Sequence, residues 1–239
     1  MPNLTAYQLL EACREPGCPV CRLEQRSVER YLDNHFYENV NSPRWREKLR
    51  ASLGFCQEHA WLSVNQRLGD ALGFSIIYRD IINHVHTELE RGVSPAPSRR
   101  GFGSLLRQVP EQVRALIENM LTAITPRKGC PACEYREETT RSTLSILSEE
   151  LKASEMKEAL QASDGLCLPH LRLTLEHVRD PSVCENLIAV HREKLERLRA
   201  ELGEFIRKND YQLIEAGFGE ERDAWLRAIS MIVGSRKKG

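Results

Sequence analysis

Hydrophobic positions along the chain recur mostly at steps of three and four. Leu23, Val28, Tyr31, Leu32, His35 and Phe36 fall on one helical face, as do Ile76, Ile77, Ile81, Ile82, Val85 and Leu89. Val183, Leu187, Val190, Leu195, Leu198 and Leu202 predict a long amphipathic helix, opened by Asp180-Pro181. Ser42-Pro43 predicts an N-cap with proline at the first helical position, starting a short helix through Leu53. Pro110 through Ile124 and Ala224 through Val233 predict further helices. Tyr135, Leu144 and Leu147 mark a weaker stripe in a Thr/Ser-rich segment. No run alternates apolar and polar residues as a half-buried strand does, so the expected fold class is mainly α.

The pattern contains a duplication. Gly17-Cys18-Pro19-Val20-Cys21 is followed by Gly54-Phe55-Cys56-Gln57-Glu58-His59. Gly129-Cys130-Pro131-Ala132-Cys133 is followed by Gly165-Leu166-Cys167-Leu168-Pro169-His170. The first pairs are offset by 112 positions and the second by 111. Two homologous helical modules follow, each carrying CPxC and then CxxH. Gly54 and Gly165 are placed as left-handed caps that end one helix before the CxxH opens the next. The stretch Gly92 to Gly103 is rich in Pro, Gly and Ser, the composition of a linker. The expected domains are residues 1–91, a linker over 92–109, and 110–239 with a C-terminal helical extension.

Three cysteines and one histidine per module suit a tetrahedral Zn²⁺, with no position left for water. The expected ligand sets are Cys18, Cys21, Cys56 and His59 in one module, and Cys130, Cys133, Cys167 and His170 in the other. Two Zn²⁺ ions of structural type are thus the expected cofactors. Trp61 is placed as a shield over the first site. Iron–sulfur clusters are the alternative, because Cys13-x₄-Cys18-x₂-Cys21 matches part of a plant-type [2Fe–2S] spacing. The second copy has Thr125 at the position of Cys13, and the chain reads helical where that ferredoxin pattern is strand-rich. Both points favour zinc. Cys13 and Cys184 are left outside the quartets; Cys13 is a spare ligand, a reactive thiol or a small buried hydrophobe.

Composition adds limits rather than chemistry. The 239 residues include 34 Lys/Arg and 34 Asp/Glu, with 41% hydrophobic, a globular balance that excludes wholesale disorder. Zero formal net charge, shared by both modules, argues against nucleic acid as a partner, with Arg99-Arg100 and Arg236-Lys237-Lys238 the basic clusters. No apolar run approaches the roughly 18 residues of a membrane span, and Met1 to Arg14 lacks a signal-peptide pattern. The expected location is the cytoplasm, where thiols stay reduced and cysteine patterns point to metal or redox chemistry. There is no P-loop, GxGxxG after a strand, HExxH or GxSxG, so an enzyme is the weaker expectation. Its foothold is the Lys208, Asp210, Tyr211 and Trp225 group, a possible lining for a ligand or partner pocket.

The paired CPxC…GxCxxH quartets, followed by Ile206-Arg207-Lys208-Asn209-Asp210-Tyr211 and Trp225-Leu226-Arg227-Ala228, resemble an uncharacterised bacterial family catalogued as a domain of unknown function. The resemblance covers most of the chain. It implies a bacterial, soluble, metal-binding helical protein and supplies no reaction, substrate or partner. Two function classes are carried forward. One is a zinc-stabilised interaction or scaffold module that binds a protein. The other is a redox or sensor protein with iron–sulfur clusters or labile zinc–thiolate sites.

Overall fold

The computed structural model describes residues 4–93, 110–209 and 217–235. Every regular element among them is a helix: α1 (Leu4–Cys13), α2 (Pro19–Tyr37), α3 (Pro43–Ala51), α4 (Gln57–Asn65), α5 (Ala71–Val93), α6 (Glu111–Ile124), α7 (Pro131–Glu150), α8 (Ser154–Ala162), α9 (Leu168–His177), α10 (Pro181–Lys208) and α11 (Ala224–Val233), with a 3₁₀ turn at Glu220–Asp223. No helix among the described residues is long and apolar enough to cross a membrane.

The helix starts follow the capping signals. Ser42 accepts from the Trp45 N–H at the head of α3, and Asp180 accepts from the Ser182 N–H at the head of α10. The end of α3 differs from expectation. The left-handed residue just past the cap is Leu53 (φ 51), and Gly54 follows it with its own positive φ. The Gly54 N–H reaches back to the Leu49 carbonyl at 2.8 Å, closing a Schellman-type cap that stops the helix at Ala51 rather than Leu53.

The chain forms two compact units, and they do not follow the repeat copies. One comprises Met1–Val28 and Arg136–Lys238, the other Glu29–Tyr135. The divisions fall inside α2 and α7, so each copy contributes to both units. Of the expected linker, residues 94–109 lie outside the described residues, and Gly92 and Val93 end α5.

In the first unit, Leu9, Val20, Leu144, Leu147, Leu160, Leu166 and Leu187 form a fully closed core, each contributing about 1.5–3 kcal/mol by its burial. A smaller cluster joins Leu198 of α10 to Ala224 and Met231 of α11. In the second unit, Leu32, Phe36, Trp45, Leu49, Ile77 and Ile81 are buried, and Phe36 stacks on Phe74 at 4.0 Å. Ile82, expected on the buried stripe, is exposed.

Helix α10 buries Val183, Leu187, Val190, Lys194 and Leu198 on one face. The slot expected for Leu195 is therefore taken by Lys194, and Leu195 turns outward. His191 is also buried. Its Nε2 accepts from the Leu166 N–H at 2.9 Å, and its Nδ1 donates to the Leu187 carbonyl at 2.7 Å. Burial, reinforced by the charge of Lys194, holds its pKa below the usual histidine value. The neutral ring thus contributes stability that is complete above an unfolded-state pKa of about 6.5 and is lost as pH falls toward the folded value. Thermal melts are expected to show a drop between about pH 7 and pH 5 that His191→Gln flattens, with a loss of about 1–3 kcal/mol at pH 7 from two disturbed buried hydrogen bonds. A variant with the wild-type pH profile would rule this out.

Candidate metal centres

Each motif cysteine pair or CxxH lies at the start of a helix. Cys18 and Cys130 immediately precede α2 and α7, and their carbonyls accept the first helical bonds, from the N–H groups of Arg22 and Glu134. Cys56 and Cys167 are the N-caps of α4 and α9, and His59 and His170 stand three residues further on. The sulfurs therefore sit at the positive ends of helix dipoles.

The eight side chains come together as two groups of four, paired across the repeat rather than within it. Cys18 and Cys21 meet Cys167 and His170 in the first unit; Cys56 and His59 meet Cys130 and Cys133 in the second. This corrects the expected within-module sets. Local anchors hold the crossed arrangement. The Gly17 N–H donates to Asp164 Oδ2 at 2.7 Å, tying the loop before Cys18 to the loop before Cys167. The N–H groups of Arg127 and Lys128 both donate to the Ala51 carbonyl, at 2.8 and 3.0 Å, bringing the loop before Cys130 to the end of α3.

The two groups share one geometry. In the first, His170 Nδ1 lies 3.2 Å from Cys167 Sγ, 3.3 Å from Cys21 Sγ and 3.5 Å from Cys18 Sγ, and the Cys21 and Cys167 sulfurs are 3.7 Å apart. In the second, His59 Nδ1 lies 3.2 Å from Cys56, 3.4 Å from Cys133 and 3.6 Å from Cys130, and Cys56 and Cys133 are 3.7 Å apart. All four ligand atoms of each group lie within 4.8 Å of one another. A tetrahedron with metal–sulfur bonds of about 2.3 Å has edges of about 3.75 Å. Each group thus has the dimensions of one four-coordinate ion.

Their surroundings differ. In the first group Cys18, Cys167 and His170 are buried; in the second only His59 is. Glu24 Oε2 lies 3.2 Å from His170 Nε2 and also accepts from Thr140 Oγ1 at 3.2 Å. Arg136 stands 3.6 Å from the same carboxylate. A carboxylate so placed would fix the His170 imidazole with Nδ1 facing a bound ion. The Ser235 N–H points at Cys21 Sγ from beyond α11, at 3.5 Å. Trp61, expected as a shield, is 59% exposed.

Crowding shifts the protonation of the ligand side chains. Burial, with Cys167 and Cys21 nearby, pushes Cys18 up, while hydrogen bonds from Cys167 and Cys18 pull Cys21 well down. Burial disfavours a charged His170, but hydrogen bonds with Cys167, Cys21 and Glu24 outweigh it and raise the ring to about 11. Burial and the neighbouring Cys130 and Cys56 push Cys133 up to about 12. Three thiolates this close would repel one another, and a bound cation would relieve that repulsion. Cys13 belongs to neither group. It is buried, and burial pushes its thiol up to about 11, which makes it a poor nucleophile.

Of the expected ligand or partner pocket, Asp210 and Tyr211 lie outside the described residues. Lys208 Nζ is tied to Glu221 Oε1 at 2.7 Å, and Trp225 is 47% exposed on α11.

A relative 24% identical over 234 residues, covering 95% of this chain and 100% of its own, is described as an uncharacterized 23.9 kDa protein in the xynA 3′ region of Caldicellulosiruptor sp. (strain Rt8B.4). No solved structure matches. The model of DUF6062, described as a family of unknown function, matches residues 4–239, and the chain belongs to that family.

Proposed function

We propose that this member of the DUF6062 family is a non-catalytic interaction module, held in shape by two structural Zn²⁺ ions and binding a protein partner. The observation that carries the zinc reading is the closed set of three sulfurs and one imidazole nitrogen, all within 4.8 Å, in each unit. Four protein ligands leave no position for water, which is the mark of a structural rather than a catalytic ion. A cluster of two or four irons spreads its outer ligands further apart than a single ion does, so these dimensions favour one ion per site over iron–sulfur.

Exposed apolar faces support the interaction half of the reading. Trp225, Ile229, Ile232 and Val233 of α11 are exposed, as are Val113, Ile117, Leu121 and Ile124 of α6. Stripes of this kind on helices commonly mark binding surfaces for other proteins.

Metal analysis with an absorbance spectrum, on anaerobically prepared protein, tests the reading. Two zinc ions per chain and no visible absorbance support it; iron with sulfide overturns it. Glu24→Gln is expected to keep the stoichiometry but weaken one of the two sites by about 10–100-fold in a chelator competition. Equal affinities in variant and wild type would remove Glu24 from the account.

The less buried surroundings of Cys56, Cys130 and Cys133 favour a second reading for that group, a labile zinc–thiolate that senses oxidants. Faster alkylation of these three thiols than of Cys18 and Cys167 supports it.

A further inference from the structure

The chain turns sharply after α11. Gly234 has φ 95 and ψ 167, a backbone region essentially closed to residues that carry a Cβ. Its N–H donates to the Ser230 carbonyl at 3.0 Å, which ties the turn to the end of the helix. The helix is held from beneath, with Ala224 and Met231 packed on Leu198 of α10. The path of the chain beyond Val233 is thus set by α11 and by one glycine.

That path leads onto the Cys18/Cys21/Cys167/His170 group. A methyl group at Gly234 would stand 3.5 Å from Cys21 Sγ and 3.8 Å from Cys167 Sγ, so the backbone itself lies against two of the three sulfurs. The next N–H, from Ser235, donates to Cys21 Sγ at 3.5 Å. Cys21 is the ligand of this group that is not fully buried. Ser235 also meets the loop before Cys18, where a methyl group at Gly17 would come 3.2 Å from Ser235 Oγ. Cys18, Cys167 and Ser235 share the wall of a cavity of about 350 Å³ with Ser230 and Met231 of α11. All of these residues belong to one unit.

Three thiolates around one divalent ion leave one negative charge on the centre. An N–H aimed at a thiolate sulfur offsets part of it, and hydrogen bonds to ionised groups are the stronger kind. The same bond draws electron density from the sulfur and makes it a poorer nucleophile. The backbone of Gly234 meanwhile stands between that sulfur and an approaching chelator or electrophile. A shift of the turn would remove both effects and widen the cavity onto the sulfurs.

We propose that the Gly234–Ser235 turn is a latch on the first metal centre, which retains the ion by donating a hydrogen bond to the Cys21 thiolate and by covering that sulfur. The position of α11 then sets how fast this ion leaves. The latch rests on the metal reading above and adds to it two residues outside the eight ligands.

The test mixes the full chain, as purified with its metal, with excess 4-(2-pyridylazo)resorcinol and follows ion release by absorbance. Alkylation of each cysteine is followed in parallel by mass spectrometry. Gly234→Ala takes away the conformation of the turn, Ser235→Pro takes away the N–H, and Ser235→Ala keeps it. The first two are expected to speed release of one ion per chain, and alkylation of Cys21, by about tenfold or more, the scale of a lost outer hydrogen bond at a metal. Cys56, Cys130 and Cys133 are expected to keep their wild-type rates, and Ser235→Ala to match wild type throughout. Wild-type protein that holds no single metal ion overturns the metal reading and the latch together. Bound ions whose release, and Cys21 whose alkylation, both Gly234→Ala and Ser235→Pro leave unchanged overturn the latch alone. Equal acceleration by Ser235→Ala, or acceleration at both centres, also overturns the latch.

Discussion

Stripping the metal with a strong chelator is expected to cost the protein most of its cooperative fold. Each group joins the heads of two helices far apart in sequence: α2 with α9, and α7 with α4. Without an ion, three thiols and an imidazole share a space where all four ligand atoms lie within 4.8 Å, and they remain partly protonated and mutually opposed. Structural zinc contributes an apparent free energy of about 10–16 kcal/mol per site in small modules. The whole stability of a domain is about 5–15 kcal/mol, so losing even part of the metal contribution exceeds what remains. The expected readings are a large loss of far-ultraviolet helical signal, disappearance of the thermal transition, and recovery of both when zinc returns. Chelated protein that keeps its helicity and melting temperature would contradict a structural role for metal.

Gly165→Ala is expected to be the most damaging single-atom addition near a site. Gly165 has φ +81, and a Cβ there would stand 2.7 Å from Lys194 Cδ and 3.1 Å from Lys194 Cε. The left-handed conformation costs an alanine about 1–2 kcal/mol, and overpacking a closed core adds about 1–3 kcal/mol. The variant should therefore lose about 2–5 kcal/mol in denaturant melts. Because Cys167 is two residues on, metal affinity of its group should fall as well. Gly203→Ala is the matched control. Its added methyl meets nothing within 4 Å and lies inside α10, where alanine is favoured by about 0.5–1 kcal/mol. Two variants of equal stability would refute the strain at Gly165.

Much of the fold was legible because its signals are local. The caps at Ser42 and Asp180, the helical stripes and the eight motif residues all depend on neighbours a few positions away. The pairing of motifs was not legible. The two copies carry the same residues at nearly the same spacing, so a CPxC fits either CxxH equally well. The choice is made by contacts such as Gly17 with Asp164 and Lys128 with Ala51, which no periodicity encodes. The same limit hid Lys194. A hydrophobic stripe assigns the core slot to Leu195, whereas the backbone at Gly165 leaves room for a lysine stem. Glu24 did leave a trace. It follows Cys21 by three residues, and its repeat counterpart is Arg136, the cation 3.6 Å from it; opposite charges at equivalent positions were the available clue.

The crossed pairing is the central claim, and thiol mapping of Cys167→Ser tests it most directly. The metal-loaded variant is treated with an alkylating agent, and the time course of modification at each cysteine is read by mass spectrometry. The crossed arrangement predicts that Cys18 and Cys21 become reactive, while Cys56, Cys130 and Cys133 keep their wild-type rates. Exposure of Cys130 and Cys133, with Cys18 and Cys21 still protected, would show that each site is built within one repeat copy and would contradict the account.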